Sequence, residues 1–420
     1  MDTSLDFARN LDSQDPLASF RDEFYSAEPD MIYMDGNSLG RLPLETIDRY
    51  DHLLKKEWGD RLIRSWNEKW ITWPAAIGDK IAKLVGASEG ECLVADSTTI
   101  NLFKLIMAAL DLKPDRRKIV SDVFNFPTDL YVLQSCNHLK GDRYQIALLN
   151  SRDGVSIDWD EIESVIDENT AVVSLSHVVF KSGFMYDAKR LTEYAHSKGA
   201  LVLWDLCHST GSVPVALNEW GADFAVGCTY KYLNGGPGSP AFLFVRKGLQ
   251  EKAMPPIWGW YGDSKPFAFD LEYSPAGDVR RFLSGTSSIM SYPAIECGVD
   301  KLLEAGIEQL RKKSIALSSY LIDLVDEVLA PYGFKLGTPR DVNLRGSHVS
   351  IQHEEGYRIN CALINEMNVV PDFREPNNIR LGLAPLYTSF EDVWTTVERI
   401  RVIMAEEKYT HFSSTRIGVT

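Results

Sequence analysis

The chain has 420 residues, 45% of them hydrophobic and 25% charged, with a formal net charge of −15. That balance belongs to a globular protein of two or three domains, and the acidic excess argues against nucleic acid as a partner, because phosphate binding needs clustered Lys and Arg. No apolar run is long enough to span a membrane, Met1–Phe7 lacks the basic and apolar regions of a signal peptide, and the six cysteines include no C-x-x-C pair, so a cytoplasmic protein with neither a zinc site nor a disulfide framework is expected.

Met31–Leu42 reads as a strand running into a Gly/Asn/Ser turn. Further on, apolar runs alternate with helical patterns. Strands are predicted at Cys92–Ala95, Lys118–Val123, Gln145–Leu149, Ala171–Ser176, Leu201–Asp205, Phe224–Cys228 and Ala241–Val245. Helices are predicted at Ile100–Leu110, Pro127–Leu139 and Ala188–Lys198. Near-continuous apolar strands separated by helices imply an α/β fold with a mostly parallel central sheet covered on both faces. After about Ser291 the pattern changes. Leu310, Leu317, Leu321, Leu324 and Val328 recur at helical spacing. A strand at His348–Gln352, a helix near Tyr357–Met367 and a last helix near Phe390–Glu406 follow. The expected division is a large domain over residues 51–299 and a smaller α+β domain built from 1–50 with 300–420.

In such sheets ligands bind beyond the carboxyl ends of strands. Asp205 ends one apolar run, and Lys231 follows the next, in Gly227–Gly238. An amine and a carboxylate so placed suit pyridoxal phosphate, whose aldehyde condenses with an amine and whose ring nitrogen needs an acidic partner. A Lys near glycines is by itself more often a phosphate contact or merely solvated; the Asp at a strand end reverses those odds. Ala95–Asn101 follows a strand and opens a helix, where free amides and the hydroxyls of Ser97, Thr98 and Thr99 suit a phosphate. A simple N-cap uses the same geometry. Phe126 could lie flat on a pyridine ring and Asp129 could hold its polar edge, although a core Phe beside a Pro-initiated helix is the plainer reading of that segment. His208, three residues after Asp205, could orient it or donate to the phosphate. Tyr230 could act as an acid or base beside the Lys. No second His stands at metal-ligand spacing from His208, so no metal is expected. In Asp372–Gly382, Arg380 lies on a strand-like Ile-Arg-Leu stretch and could clamp an amino-acid carboxylate through two parallel hydrogen bonds; Arg374 has a Glu neighbour and reads as a structural ion pair.

Taken together the blocks resemble the kynureninases, the pyridoxal-phosphate hydrolases of tryptophan catabolism. The resemblance spans nearly the whole chain: Met34–Gly40, Leu62–Trp66, Asn125–Asp129, Trp204–Ser209, Gly227–Gly238, Arg345–Ser350 and Arg374–Tyr387. It implies the large-domain, small-domain architecture of pyridoxal-phosphate fold type I and a homodimer with shared active sites. It implies that Lys231 carries the cofactor and that Asp205 faces the ring nitrogen. Thr98, Thr99, His208 and Tyr230 become cofactor contacts, Phe126 the stacked aromatic and Asp129 a second acidic contact. Trp260 and Thr286 resemble phosphate contacts lent by the partner subunit. Arg380 matches the substrate-carboxylate arginine, and Ser38 and Trp66 fall where the family lines its substrate pocket. The implied reaction is L-kynurenine plus water giving anthranilate and L-alanine. The competing readings are a related enzyme of the same fold, such as a cysteine desulfurase or an aminotransferase, and a non-catalytic protein that kept the fold.

Overall fold

The structure, a computed structural model, describes residues 2–415. Seven strands form the central sheet in the order Cys92–Val94, Phe242–Val245, Phe224–Gly227, Leu201–Asp205, Thr170–Ser176, Lys118–Asp122 and Gln145–Leu149. Only Phe242–Val245 runs against its neighbours; the remaining pairings are parallel. The predicted strands are therefore all present, with ends shifted by a residue.

The period-2 geometry of these strands splits their side chains between two cores. Val173, Leu175, Val202, Trp204 and Phe244 pack on one face with Trp73, Ile77, Tyr292 and Ile295. Val172, Leu201, Leu203, Phe224 and Val245 pack on the other with Leu102, Leu105, Ile106 and Leu133. Each large side chain buried this way contributes about 1.5–3 kcal/mol. Helices cover both faces, so the sheet's loops emerge only at the strand ends, and that is where a site can form.

Helix starts follow local chemistry. Ser97 accepts from the Ile100 amide (3.4 Å) and opens Thr98–Leu112. Pro127 opens Pro127–Leu139. Ser389 and Asp392 form a capping box at the head of Phe390–Ala405. The expected long helix is Ile307–Leu324, with Leu310, Leu317, Leu321 and Leu324 buried. It packs with Phe390–Ala405 over a four-stranded antiparallel sheet, ordered Asp372–Arg374, Asn378–Leu381, Val349–Gln352 and Lys335–Leu336.

The predicted strand within Met31–Leu42 shrinks to Ile32–Tyr33, which pairs in parallel with Val369–Val370. The chain then turns across to the central sheet, where the Gly40 amide donates to the Tyr230 carbonyl at 2.8 Å. Glycine is required there. A Cβ would run into the Lys231 carbonyl oxygen and the Asn234 side chain. The early Gly/Asn/Ser turn thus seats directly against the Lys231 loop.

Candidate active site

Adjacent parallel strands set Ser176 beside Asp205, and Asp205 beside Val226. Their carboxyl ends open on a pocket lined by Thr98, Thr99, Phe126, Asp129, Ser176, Phe180, Asp205, Cys207, His208, Tyr230 and Lys231. Eight residues expected from the sequence as catalytic or cofactor contacts therefore meet in one place. Lys231 Nζ lies 3.3 Å from His208 Nε2 and 5.9 Å from the centre of the Tyr230 ring.

Asp205 is buried and braced. One carboxylate oxygen accepts from the Cys207 amide (2.8 Å), and the other lies 3.2 Å from the Ser176 hydroxyl. Ser176 also contacts the Asn125 side-chain oxygen at 2.8 Å. Asp129 is equally buried, and its Oδ2 has no hydrogen-bond partner among the described residues. Burial, then the charge of Asp205, holds its carboxyl well above the ordinary range. The pocket thus contains two carboxyl groups that cannot both be charged cheaply. Asp129 is the one whose proton is held more tightly.

His208 is driven well below its ordinary pKa by burial first and then by Lys231, so it is a neutral imidazole able to accept from the amine. Tyr230 is pushed up, first by the neighbouring Cys228 sulfur and then by burial, and keeps its proton. Phe126 is partly exposed at the lip of the pocket, edge-on to Phe180 with ring centres 5.3 Å apart.

Arg380 lies behind Phe180. Its Nη1 donates to the Phe180 carbonyl (2.6 Å) and its Nη2 to the Ser38 hydroxyl (2.9 Å). Its Nε edge is taken by Asp372 at 2.7 Å, reinforced by a second bond from Nη2. Arg374 pairs with the other Asp372 oxygen at 3.0 Å. The antiparallel register sets Asp372 opposite Arg380. The arrangement is a braced guanidinium whose outer edge shares the Ser38 hydroxyl.

Trp66, Trp260 and Thr286 are not brought to this pocket. Trp66 packs edge-on against Trp70, Trp260 and Tyr261, each ring centre 6.1 Å away. Thr286 lines a second hollow with Asp96, Ser97, Gly238 and Ser284–Ser288. Among the described residues, no three His, Cys, Asp or Glu side chains converge as a metal set.

The sequence reading did not single out Ser176, Asn125, Phe180 or Asp372. Ser176 ends a predicted strand next to the Asp205 strand, so the strand-end rule points to it once the strand order is known. Asp372 stands eight residues before Arg380, a hairpin spacing that puts both on one face.

The residues fit pyridoxal phosphate. A helix N-terminus faces a phosphate-sized space, an unpartnered buried Asp129 oxygen awaits a polar edge, and Lys231 and Asp205 stand at neighbouring strand ends. Residues 310–400 match the model of the kynureninase C-terminal domain. A kynureninase of Pseudomonas fluorescens is 44% identical over 399 residues, 94% of each chain. A cysteine desulfurase of Thermococcus onnurineus superposes with a TM-score of 0.78 at 19% identity, covering 92% of this chain and 98% of its own. A lyase with glycine covalently linked to its PLP cofactor superposes with a TM-score of 0.75 at 16% identity, covering 92% and 97%. These two solved structures share the fold, and with the near full-length identity to the Pseudomonas enzyme the chain belongs to the kynureninase family.

Proposed function

We propose that this protein hydrolyses the Cβ–Cγ bond of L-kynurenine, giving anthranilate and L-alanine, with pyridoxal 5′-phosphate held in the Lys231 pocket. The observation that carries the reading is the meeting of Lys231, Asp205, His208 and Tyr230 at adjacent strand ends of a chain that matches kynureninases along almost its whole length. The bound cofactor supplies an aldehyde for the substrate amine and a protonated ring that takes up the electron pair of a broken bond.

The chain's own residues do the rest. Asp205, held by the Cys207 amide and set beside the Ser176 hydroxyl, would face the ring nitrogen and favour its protonated form. Asp129, whose Oδ2 has no other partner among the described residues, would add a hydrogen bond to the cofactor's polar edge. Phe126 covers the ring, while Thr98 and Thr99 offer hydroxyls and amides to the phosphate. Lys231 would hold the cofactor through its amine, and the same amine, when free, would remove the substrate's α-proton. Tyr230 retains its proton and serves as the acid in the later proton transfers. Arg380 and Ser38 hold the substrate carboxylate.

A cysteine desulfurase needs a nucleophilic thiolate near the substrate. Cys207 lines the pocket, but Cys228 and burial hold its thiol protonated. Among the described residues, Cys361 is the one cysteine that is not buried, and it lies on the helix Gly356–Glu366.

We further propose a cytoplasmic homodimer, with residues 51–299 forming the cofactor-binding unit. Among the described residues, no helix is long and apolar enough to cross a membrane. Trp258, Phe267, Phe269 and Leu271 are exposed around Trp260, and a cluster of exposed apolar side chains suits a subunit contact. A partner covering it would bring its own Trp260 and Thr286 to the phosphate.

The test is to offer L-kynurenine, 3-hydroxykynurenine and L-cysteine to the cofactor-loaded protein. Anthranilate and L-alanine in equal amounts from kynurenine support the reading. Alanine from cysteine, with both kynurenines left intact, refutes it.

A further inference from the structure

His348 precedes the strand Val349–Gln352 and is completely buried, and neither ring nitrogen makes a hydrogen bond among the described residues. Its ring centre lies 5.6 Å from that of His208, at 55°. This is near the spacing of two imidazoles joined by one N–H···N bond of about 3 Å. The Val179 and Phe180 carbonyls are the other polar groups set against it. Phe180 is also the carbonyl that accepts from Arg380. A polar ring at this depth costs its desolvation unless its nitrogens are well hydrogen-bonded, and an apolar side chain of similar size would avoid that cost. Packing alone does not account for an imidazole there.

We propose that His348 is a positioning residue for Lys231: it joins His208 in a hydrogen-bonded relay that turns the lone pair of His208 Nε2 toward the Lys231 amine. The inference rests on Lys231 being the amine that handles the substrate's proton.

The tautomers follow from the donors and acceptors. Protonated Lys231 carries only N–H groups, so toward it His208 Nε2 accepts and the imidazole proton sits on Nδ1. That N–H needs an acceptor, and one nitrogen of His348 supplies it. The other nitrogen then carries a proton and donates to the carbonyls of Val179 or Phe180. Every ring nitrogen gains a partner through a small rotation of the His348 ring.

The surrounding charges keep the relay neutral. Lys231, Arg380 and Arg374 face the two histidines, and Asp372 and Asp35 lie beyond the arginines. Burial first, then Arg380 and Lys231, push His348 down to about 3. Both histidines stay neutral and hold fixed tautomers. Without His348, His208 is free to carry its proton on Nε2. Its N–H then faces the lysine's own N–H groups, and protonated Lys231 is disfavoured.

The test uses the cofactor-loaded protein with His348→Leu and His348→Gln. Glutamine keeps a donor and an acceptor; leucine keeps only volume. The pH titration of the cofactor absorbance in the absence of substrate reads the Lys231 environment apart from turnover. The relay predicts that His348→Leu lowers the midpoint by about half a pH unit or more. It also predicts a fall in kcat of about tenfold with KM little changed. The melting temperature should be equal to or below wild type, because the relay's hydrogen bonds are lost and a buried His208 nitrogen is left without its partner. His348→Gln should restore the midpoint and most of kcat. A wild-type midpoint and kcat in His348→Leu overturn the relay. Equal losses in both variants with no shift in midpoint also overturn it, and assign His348 to packing. Should the leucine variant not accumulate, His348→Met, flexible enough to fill the same space, carries the same comparison. A wild-type protein that binds the cofactor and titrates, yet leaves L-kynurenine intact, overturns the functional reading instead; the relay is judged on the midpoint.

Discussion

Replacing Asp372 by Asn keeps the shape of the side chain and removes its charge. The residue is completely buried and is the counter-ion of both Arg380 and Arg374. Loss of one member of a buried ion pair costs about 3–5 kcal/mol, because the remaining charge stays in the interior. Two features favour the lower end. The amide oxygen still accepts one bond from Arg380. Asp35, pushed up to about 6 by burial and then by the charge of Asp372, ionises more readily once that charge is gone and partly offsets the arginines. At about 2.1 cal/mol/K per residue, cooperative unfolding of the whole chain carries an entropy near 0.9 kcal/mol/K, so ~3 kcal/mol lowers the melting midpoint by about 3 °C. The kinetic effect follows from the same geometry. Asp372 holds the Nε edge of Arg380 and fixes the direction of the edge that reaches Ser38. With that brace gone, KM for L-kynurenine should rise by about tenfold, a loss of 1.4 kcal/mol of binding, while kcat changes less. Scanning calorimetry of the cofactor-loaded protein and steady-state kinetics measure both. A variant that melts within a degree of wild type with an unchanged KM would refute the bracing role.

Gly40→Ala forces a Cβ into the Lys231 carbonyl and the Asn234 side chain; overpacking of about 1–3 kcal/mol is expected, with weaker cofactor retention on dialysis, and a variant that retains cofactor and stability normally contradicts the seating of the early turn. Asp35 titrates higher in the folded chain, at about 6, than the ~3.9 of an unfolded Asp, so the folded state binds the proton more strongly and stability falls as pH rises through that window. Asp35→Asn should therefore match wild type near pH 4 and exceed it by about 2 kcal/mol at pH 7.5, read from urea midpoints; equal stability at both pH values refutes the shift. Co-expression of Lys231→Ala with a variant altered at both Trp260 and Thr286 should restore part of the activity if sites are shared between subunits, whereas heterodimers without recovery place those residues outside the partner's site.

The central sheet was legible because its strands are continuous apolar runs with helical patterns between them, and both periodicities survive burial. The Lys231 pocket was legible for a related reason: Asp205 and Lys231 each follow such a run, and parallel strands bring their ends together. What the sequence concealed lies across the chain fold. Ser176 braces Asp205 only because their strands are neighbours, and strand order is not written in periodicity. His348 comes against His208 because the segment before Val349–Gln352 bridges to the turn that follows the Thr170–Ser176 strand, Arg345 opposite Phe184 and Gly346 bonded to Gly183. Asp372 carried no role in the sequence, and its complete burial and its register opposite Arg380 are what mark it as the counter-ion. Trp66, Trp260 and Thr286 came from resemblance alone, and within one chain they lie away from Lys231.

The central claim is that Lys231 carries the cofactor with which L-kynurenine is cleaved. Borohydride reduction of the loaded protein, followed by peptide mass mapping and an assay of anthranilate release on the same samples, tests it most directly. The account predicts that the cofactor becomes fixed to the peptide containing Lys231, that activity is lost in proportion to labelling, and that Lys231→Ala is folded, unlabelled and inactive. Labelling at another lysine, or anthranilate release by Lys231→Ala within about tenfold of wild type, would contradict it.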